Sequence, residues 1–214
     1  PPGSDASLSP MRALTPGTHR SAIDTLAAAD PDLAAIVERH GRPAFRSRPA
    51  GFRTLVYIIL EQQVSLASAK ATLAKVEALL PEFSPAAYLA LDDAALRGAG
   101  VSRQKLRYTR LAAEAIEDGS LPLATLARRR DETVRALLTA IPGIGHWTAD
   151  CYLLLALRRP DLWPVGDLAL VKALQAVKGL DEKPAQEDLV ALGERYRPYR
   201  SVATQLFWHY YLNR

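Results

Sequence analysis

An all-α fold is the class that the sequence predicts, on three observations. Apolar residues recur at three- and four-residue spacing along most of the chain. No stretch alternates apolar and polar residues as a half-buried strand would. The periodic segments open at Ser, Asp or Pro and stop at Gly. Eight to eleven helices are expected.

The elements follow in order. Pro1–Gly17 is rich in Pro, Ser and Gly and lacks periodicity, so a flexible tail is expected over about residues 1–18. Ser21 caps a helix to about Ala29, and Asp30-Pro31 opens another that ends near Gly41. Pro43–Gly51 connects. Phe52–Leu60 is apolar enough for a strand or a buried helix, and Leu55, Ile58, Ile59 and Gln62 favour helix. Ser65 caps a helix to about Leu80 with Leu66, Ala69, Leu73, Val76 and Leu80 inward, which leaves Gln62 and Gln63 at a helix junction. Pro85 and Asp92 open two short helices. Ser102 caps a long one, Arg103–Asp118, whose Arg103, Lys105, Arg107 and Arg110 form a basic face, and Gly119 ends it. Leu123–Ala127 is short, and Asp131–Leu138 leads into the stretch Leu137–Leu157. After a loop over Arg158–Gly166 comes a helix from Asp167 with Leu168, Val171, Leu174 and Val177 spaced for burial. Leu189–Tyr196 and Arg200–Leu212 close the chain.

Composition narrows the function. A chain of 214 residues, 49% hydrophobic, suffices for one core or two small lobes. The net charge of +4 suits a nucleic-acid partner without specifying one. The single cysteine, Cys151, rules out an internal disulfide framework and an all-cysteine iron–sulfur site, and the four scattered histidines give no zinc spacing. No apolar run reaches membrane-spanning length and no signal-peptide pattern opens the sequence, so a soluble intracellular protein is the expectation, cytoplasmic and at the nucleoid in a bacterium.

Two places can carry chemistry. In Ile141-Pro142-Gly143-Ile144-Gly145, two glycines between apolar helices allow a tight turn with bare backbone. Free N–H groups of Gly143, Gly145 and the next helix's first turn, with Thr148 in that turn, would hold a phosphate without reading sequence. The same turn also serves as a structural helix corner. Asp167 fits an N-cap, and equally a fixed anion facing a cleft. Such an anion suits cleavage of an N-glycosidic bond, which passes through an oxocarbenium-like sugar. Trp147 and Trp208 are either core aromatics or stacking faces for a base taken out of a duplex.

The sequence resembles the helix-hairpin-helix superfamily of DNA base-excision glycosylases, in the branch of 3-methyladenine DNA glycosylase II. The stretches that carry it are Ile58–Ala69 (IILEQQVSLASA), Gly98–Tyr108 (GAGVSRQKLRY), Ile141–Ala149 (IPGIGHWTA), Trp163–Lys172 (WPVGDLALVK) and Arg197–Trp208 (RPYRSVATQLFW). The resemblance implies a two-lobed helical fold with a cleft between the lobes. The central lobe would cover about 52–157, and the second about 19–51 plus 158–214. It implies Asp167 as the catalytic carboxylate, Trp147 and Trp208 as the base pocket, and Gln63 as the side chain entering the duplex. It also implies a phosphate clamp at the hairpin, completed by a sodium or potassium ion on the carbonyls of Thr139, Ile141 and Ile144. Relatives with lyase activity carry a lysine where this chain has Trp147, so a monofunctional glycosylase is implied, with no catalytic cofactor and no iron–sulfur cluster. The partner implied is double-stranded DNA with alkylated bases, bound by a monomer. The N-terminal β domain of some relatives is not expected, and pocket aromatics of others fall at Cys151 and Leu168. Glycosylases for deaminated or oxidised bases, and a non-catalytic DNA-binding module, stay open as alternatives.

Overall fold

Capping chemistry sets most of the helix starts. Residues 12–214 are described in the computed structural model of the chain, and among them no strand occurs. In α1 (Pro16–Ala29), Thr15 accepts from the Thr18 N–H and Thr18 returns the bond, with Pro16 in the first turn. The helix therefore starts five residues before Ser21, and its first turn takes in the end of the expected tail, whose residues 1–11 lie outside the described part. Asp30 caps α2 (Pro31–His40). Ser65, Ser84, Asp92 and Ser102 cap α4 (Leu66–Glu77), α5 (Pro85–Ala90), α6 (Asp93–Gly98) and α7 (Arg103–Glu117) in the same way. The six-residue α5 and α6 are separate, as expected, and among the described residues the count is twelve α-helices and one 3₁₀ turn, above the eight to eleven expected. The 3₁₀ turn spans Leu123–Arg128, where an ordinary short helix was expected.

The middle of the chain contains α3 (Phe52–Glu61), which has eight buried residues out of ten. A helix apolar all round must be covered all round. Leu55, Ile58 and Ile59 join one core with Val134 and Leu138 of α8 (Asp131–Thr139) and Tyr152–Leu155 of α9 (His146–Leu155). Phe52, Val56 and Leu60 join another with Leu73, Val76, Tyr88, Leu96 and Leu106 from α4 to α7. A third core unites the two ends of the chain. Ile23, Leu26, Leu33 and Ile36 pack with Leu170 and Leu174 of α10 (Leu168–Val177) and with Leu206 and Phe207 of α12 (Arg200–Asn213). Trp163 lies in this core, its Nε1 donating to the Leu189 carbonyl of α11 (Gln186–Glu194) at 2.7 Å. Two expected core leucines are exposed, Leu66 at 50% and Leu168 at 61%, and a third, Leu80, lies past the end of α4 and is half-buried. Leu66 and Leu168 are each the first residue after a cap, a position that the inward stripe of the helix has not yet reached.

A polar lock closes the third core. Asp30 accepts from Lys178 Nζ at 2.9 Å, from the Tyr196 hydroxyl at 3.0 Å and from the Asp32 N–H at 2.9 Å. Burial pushes the Asp30 carboxyl up, and these donors outweigh it, so its pKa lies below the ordinary value. A lowered carboxylate contributes stability that is present above the unfolded value and lost as pH falls through the folded one. Asp30→Ala is expected to cost about 1–2 kcal/mol at neutral pH, since it removes a cap and leaves the Tyr196 hydroxyl without its acceptor, while Lys178 keeps Asp32 at 2.6 Å. That deficit should narrow as pH falls below the ordinary carboxylate range, and urea unfolding at neutral and at acid pH measures it.

Candidate active site

The turn between α8 and α9 is closed by the Ile144 N–H donating to the Ile141 carbonyl at 3.0 Å. Both isoleucines are buried and fasten the turn to the core, whereas Pro142 and Gly145 are exposed. Gly143 is forced twice over. Its φ is +89°, and a Cβ there would sit 2.0 Å from the Tyr108 ring. Gly145 has an ordinary φ of −87° and caps α9 without a side chain, leaving the first-turn N–H groups free of any side-chain cap. Among the described residues the N–H groups of Gly143 and Gly145 also have no protein acceptor. This is a positive helix end lined with bare donors, suited to an anion.

Of the expected phosphate ligands, Thr148 contributes backbone only. Its side chain is buried, and Oγ1 accepts from Gln62 Nε2 at 3.0 Å. The same Nε2 donates to the Gly143 carbonyl at 3.0 Å. Gln62 thus ties the α3–α4 corner to the hairpin. The next residue, Gln63, is exposed and has a left-handed φ of 55°, a strained conformation for a non-glycine at a corner. Of the three carbonyls expected to hold a cation, that of Ile141 already accepts from Ile144. Those of Thr139 and Ile144 accept no hydrogen bond among the described residues, and Thr139 ends α8, where the helix dipole is negative.

Asp167 follows a tight turn in which its N–H donates to the Pro164 carbonyl at 2.9 Å. It is buried, and three N–H groups converge on its carboxylate. Oδ1 accepts from the Leu170 N–H at 2.7 Å and from Trp208 Nε1 at 2.8 Å, and Oδ2 accepts from Trp147 Nε1 at 2.8 Å. The cap and the two indoles are therefore parts of one site. Since Trp147 is in the first turn of α9, the carboxylate also lies at the hairpin's end of that helix. A carboxylate offers about four acceptor positions, so about one remains for a further donor such as water. The hydrogen bonds use the N–H edges of the two half-buried indoles, which also pack against the core beside α9. Cys151 lies beneath, fully buried. Burial first, then the carboxylates of Asp167, Glu61 and Asp150, push its thiol far up, which leaves it inert as a nucleophile.

Several residues have roles that the sequence does not indicate. Gln62 and Tyr108 shape the hairpin from outside it. Lys105 Nζ donates to the Leu60 carbonyl at 2.7 Å, and Gln104 Nε2 to the Tyr108 hydroxyl at 2.7 Å. Arg110 pairs with Asp93 at 2.7 Å. The expected basic face of α7 is therefore reduced to Arg103 and Arg107, with Lys105 turned inward. Gln62 and Tyr108 both lie in the stretches that carry the resemblance, yet nothing in their residue types announces a packing role.

Residues 56–198 match the model of the HhH-GPD superfamily base excision DNA repair protein, and the chain belongs to that family. It is 31% identical over 169 residues to the DNA-3-methyladenine glycosylase 2 of Escherichia coli, covering 74% of this chain and 57% of that protein. It is similar to the crystal structure of a DNA-3-methyladenine glycosidase from Bacillus halodurans, with a TM-score of 0.74, 34% identity, and 90% and 89% of the two chains covered. The fold is also that of the Schizosaccharomyces pombe 3-methyladenine DNA glycosylase solved in complex with abasic DNA, with a TM-score of 0.81 at 24% identity, covering 88% and 95% of the two chains. The chain spans between 52% and 64% of the length of four curated relatives that it matches.

The Gly143 packing is testable without any ligand. Gly143→Ala should cost about 1–3 kcal/mol by thermal unfolding, from its φ and from the Tyr108 ring. Combined with Tyr108→Ala, it should cost less than the sum of the two single changes, because the ring that obstructs the methyl is gone.

Proposed function

We propose that this protein is a monofunctional DNA glycosylase that hydrolyses the N-glycosidic bond of alkylated bases in duplex DNA, 3-methyladenine first and 7-methylguanine next. One observation carries the reading: a buried carboxylate held by two indoles at the phosphate-binding end of the hairpin. In this reading the N–H groups at Gly143, Gly145 and the α9 start hold the backbone. The carbonyls of Thr139, Ile141 and Ile144 would hold a monovalent cation that reinforces the phosphate's charge balance. Gln63 fills the gap left in the stack, and the flipped base lies against Trp147 and Trp208. A cationic alkylpurine gains from those faces.

The C1′–N bond breaks with its electron pair leaving on the base, which neutralises the cationic ring. The sugar becomes oxocarbenium-like, and Asp167 stabilises it. Water on the remaining acceptor position of Asp167 adds to C1′ and passes its proton to that carboxylate, which returns it to solvent, leaving an abasic site and free base. An indole stands where a Schiff base would need an amine, so strand cleavage by a lyase step has no nucleophile at Trp147. The names of the Escherichia coli and Bacillus halodurans relatives support the substrate class.

Chromatography of bases freed from methylated genomic DNA should show 3-methyladenine and 7-methylguanine. Release of uracil, hypoxanthine or 8-oxoguanine with no methylpurines would replace this reading by another glycosylase. Asp167→Asn should lose about 10²- to 10⁴-fold in single-turnover rate yet still bind duplex. A binding module would show no turnover to lose. Trp208→Phe keeps a ring but removes one of the three donors, and should slow release about tenfold at saturating DNA.

A further inference from the structure

At the junction of α6 and α7 lies a hollow of about 410 Å³ lined by Asp93, Arg97, Arg103, Leu106, Arg107 and Arg110. Four guanidinium groups face one carboxylate. Asp93 is spent on Arg110, which also donates to the carbonyls of Leu89 and Leu91 at 3.2 and 2.6 Å. Arg97, Arg103 and Arg107 are exposed and have no ion-pair partner among the described residues. Three like charges around one hollow repel unless an anion lies between them. No contact within the fold requires them there.

Where the hollow lies argues for its occupant. Gln104, Lys105 and Tyr108 carry the side of α7 that meets the hairpin corner, with the Tyr108 ring on Gly143 and Lys105 on the Leu60 carbonyl. Arg103 and Arg107 each precede one of Gln104 and Tyr108, about 100° around the same helix. The hollow and the hairpin nest thus occupy adjoining faces of one helix, roughly 10 Å in diameter. Duplex DNA presents a charge every ~1.7 Å of its axis, so a strand held at the nest carries further phosphates over that distance. A lone phosphate could fill the hollow but would not account for its placement beside the nest.

We propose that this hollow is a second backbone site, in which Arg97, Arg103 and Arg107 hold phosphates of the duplex flanking the one clamped by the hairpin. The proposal rests on the DNA-binding reading above. The site positions the duplex and reads no base. It extends the grip beyond the hairpin and beside the Gln63 corner, where bending the duplex requires a hold on its flank.

The test is the salt dependence of binding to an undamaged fluorescent duplex. Arg103→Glu/Arg107→Glu should bind at least tenfold more weakly at low salt, and its slope of log K against log salt should be shallower by about 2, near 0.9 per lost phosphate contact. Arg39→Glu, an exposed charge reversal on α2 (Pro31–His40), gives the effect of one reversal away from the hollow, with half the net-charge change of the double variant, and should change the slope by far less than half as much. Thermal unfolding of each variant should match the parent, because these side chains lie outside the cores. If the double variant behaves as Arg39→Glu does, the hollow holds no DNA and the proposal falls. It falls too if inorganic phosphate raises the unfolding temperature of the parent but not of the double variant while both bind the duplex equally, since the hollow would then be a free-phosphate site. A parent protein that binds no duplex at all would instead end the glycosylase reading.

Discussion

Three N–H groups from three helices meet on the carboxylate of Asp167, and the arrangement of the site depends on that convergence. Leu170 belongs to α10, Trp147 to α9 and Trp208 to α12. The two indoles pack against the core built on α3 and α9, whereas Leu170 belongs to the core that joins the chain ends. The anion is therefore a joint between two separately packed bodies of side chains. A buried carboxylate without such donors would be costly to desolvate. With them it is held in one orientation, and the distance from the α10 start to the hairpin end of α9 is fixed as well.

The hairpin is shaped from outside in the same way. Its turn is closed by one backbone hydrogen bond, and its outline comes from Tyr108 lying on Gly143 and from Gln62 bridging Gly143 and Thr148. Gln62 matters because of its neighbour. The residue that grips the hairpin is followed directly by Gln63, exposed and left-handed in φ. A nest of bare N–H donors and an exposed side chain thus share one corner. On the proposed reading, a duplex held at the nest meets Gln63 at a set distance, so flipping is aimed by the protein's backbone rather than by a search.

Much of this was readable in the chain, for definite reasons. Caps and glycine stops are local signals, and Ser65, Ser84, Asp92, Ser102 and Asp167 all begin helices where the residue types place them. Thr15 is harder to read as a cap because the Pro and Gly that follow it resemble the tail, though Pro16 is well suited to a first helical turn. Leu66 and Leu168 misled because periodicity counts residues and ignores that a first turn lies outside the stripe its helix buries. At the site, Asp167 and the two tryptophans stood out by type. That both indoles would spend their N–H on the same carboxylate did not, because Trp147 and Trp208 are separated by 61 positions in sequence and meet only through packing. Gln62 and Tyr108 were hidden for the same reason, since their roles come from what lies across from them.

The chemistry that touches Asp167 limits what the site can assist. The surrounding donors are two indole N–H groups and a backbone amide, all far too weakly acidic to protonate a departing base. The nearby thiol of Cys151 is pushed up and buried as well. The site therefore offers an anion and stacking surface but no proton from the groups that hold the carboxylate. A neutral oxidised or deaminated base leaves slowly unless it is protonated or strongly hydrogen-bonded as it goes. A base already bearing a methyl group and a positive charge leaves as a neutral molecule and needs only the sugar cation to be stabilised. An anion fixed by three donors, with about one acceptor position left for water, supplies that and little else. On the proposed reading, selectivity for alkylated purines would follow from the proton donor that the site lacks as much as from its two indoles.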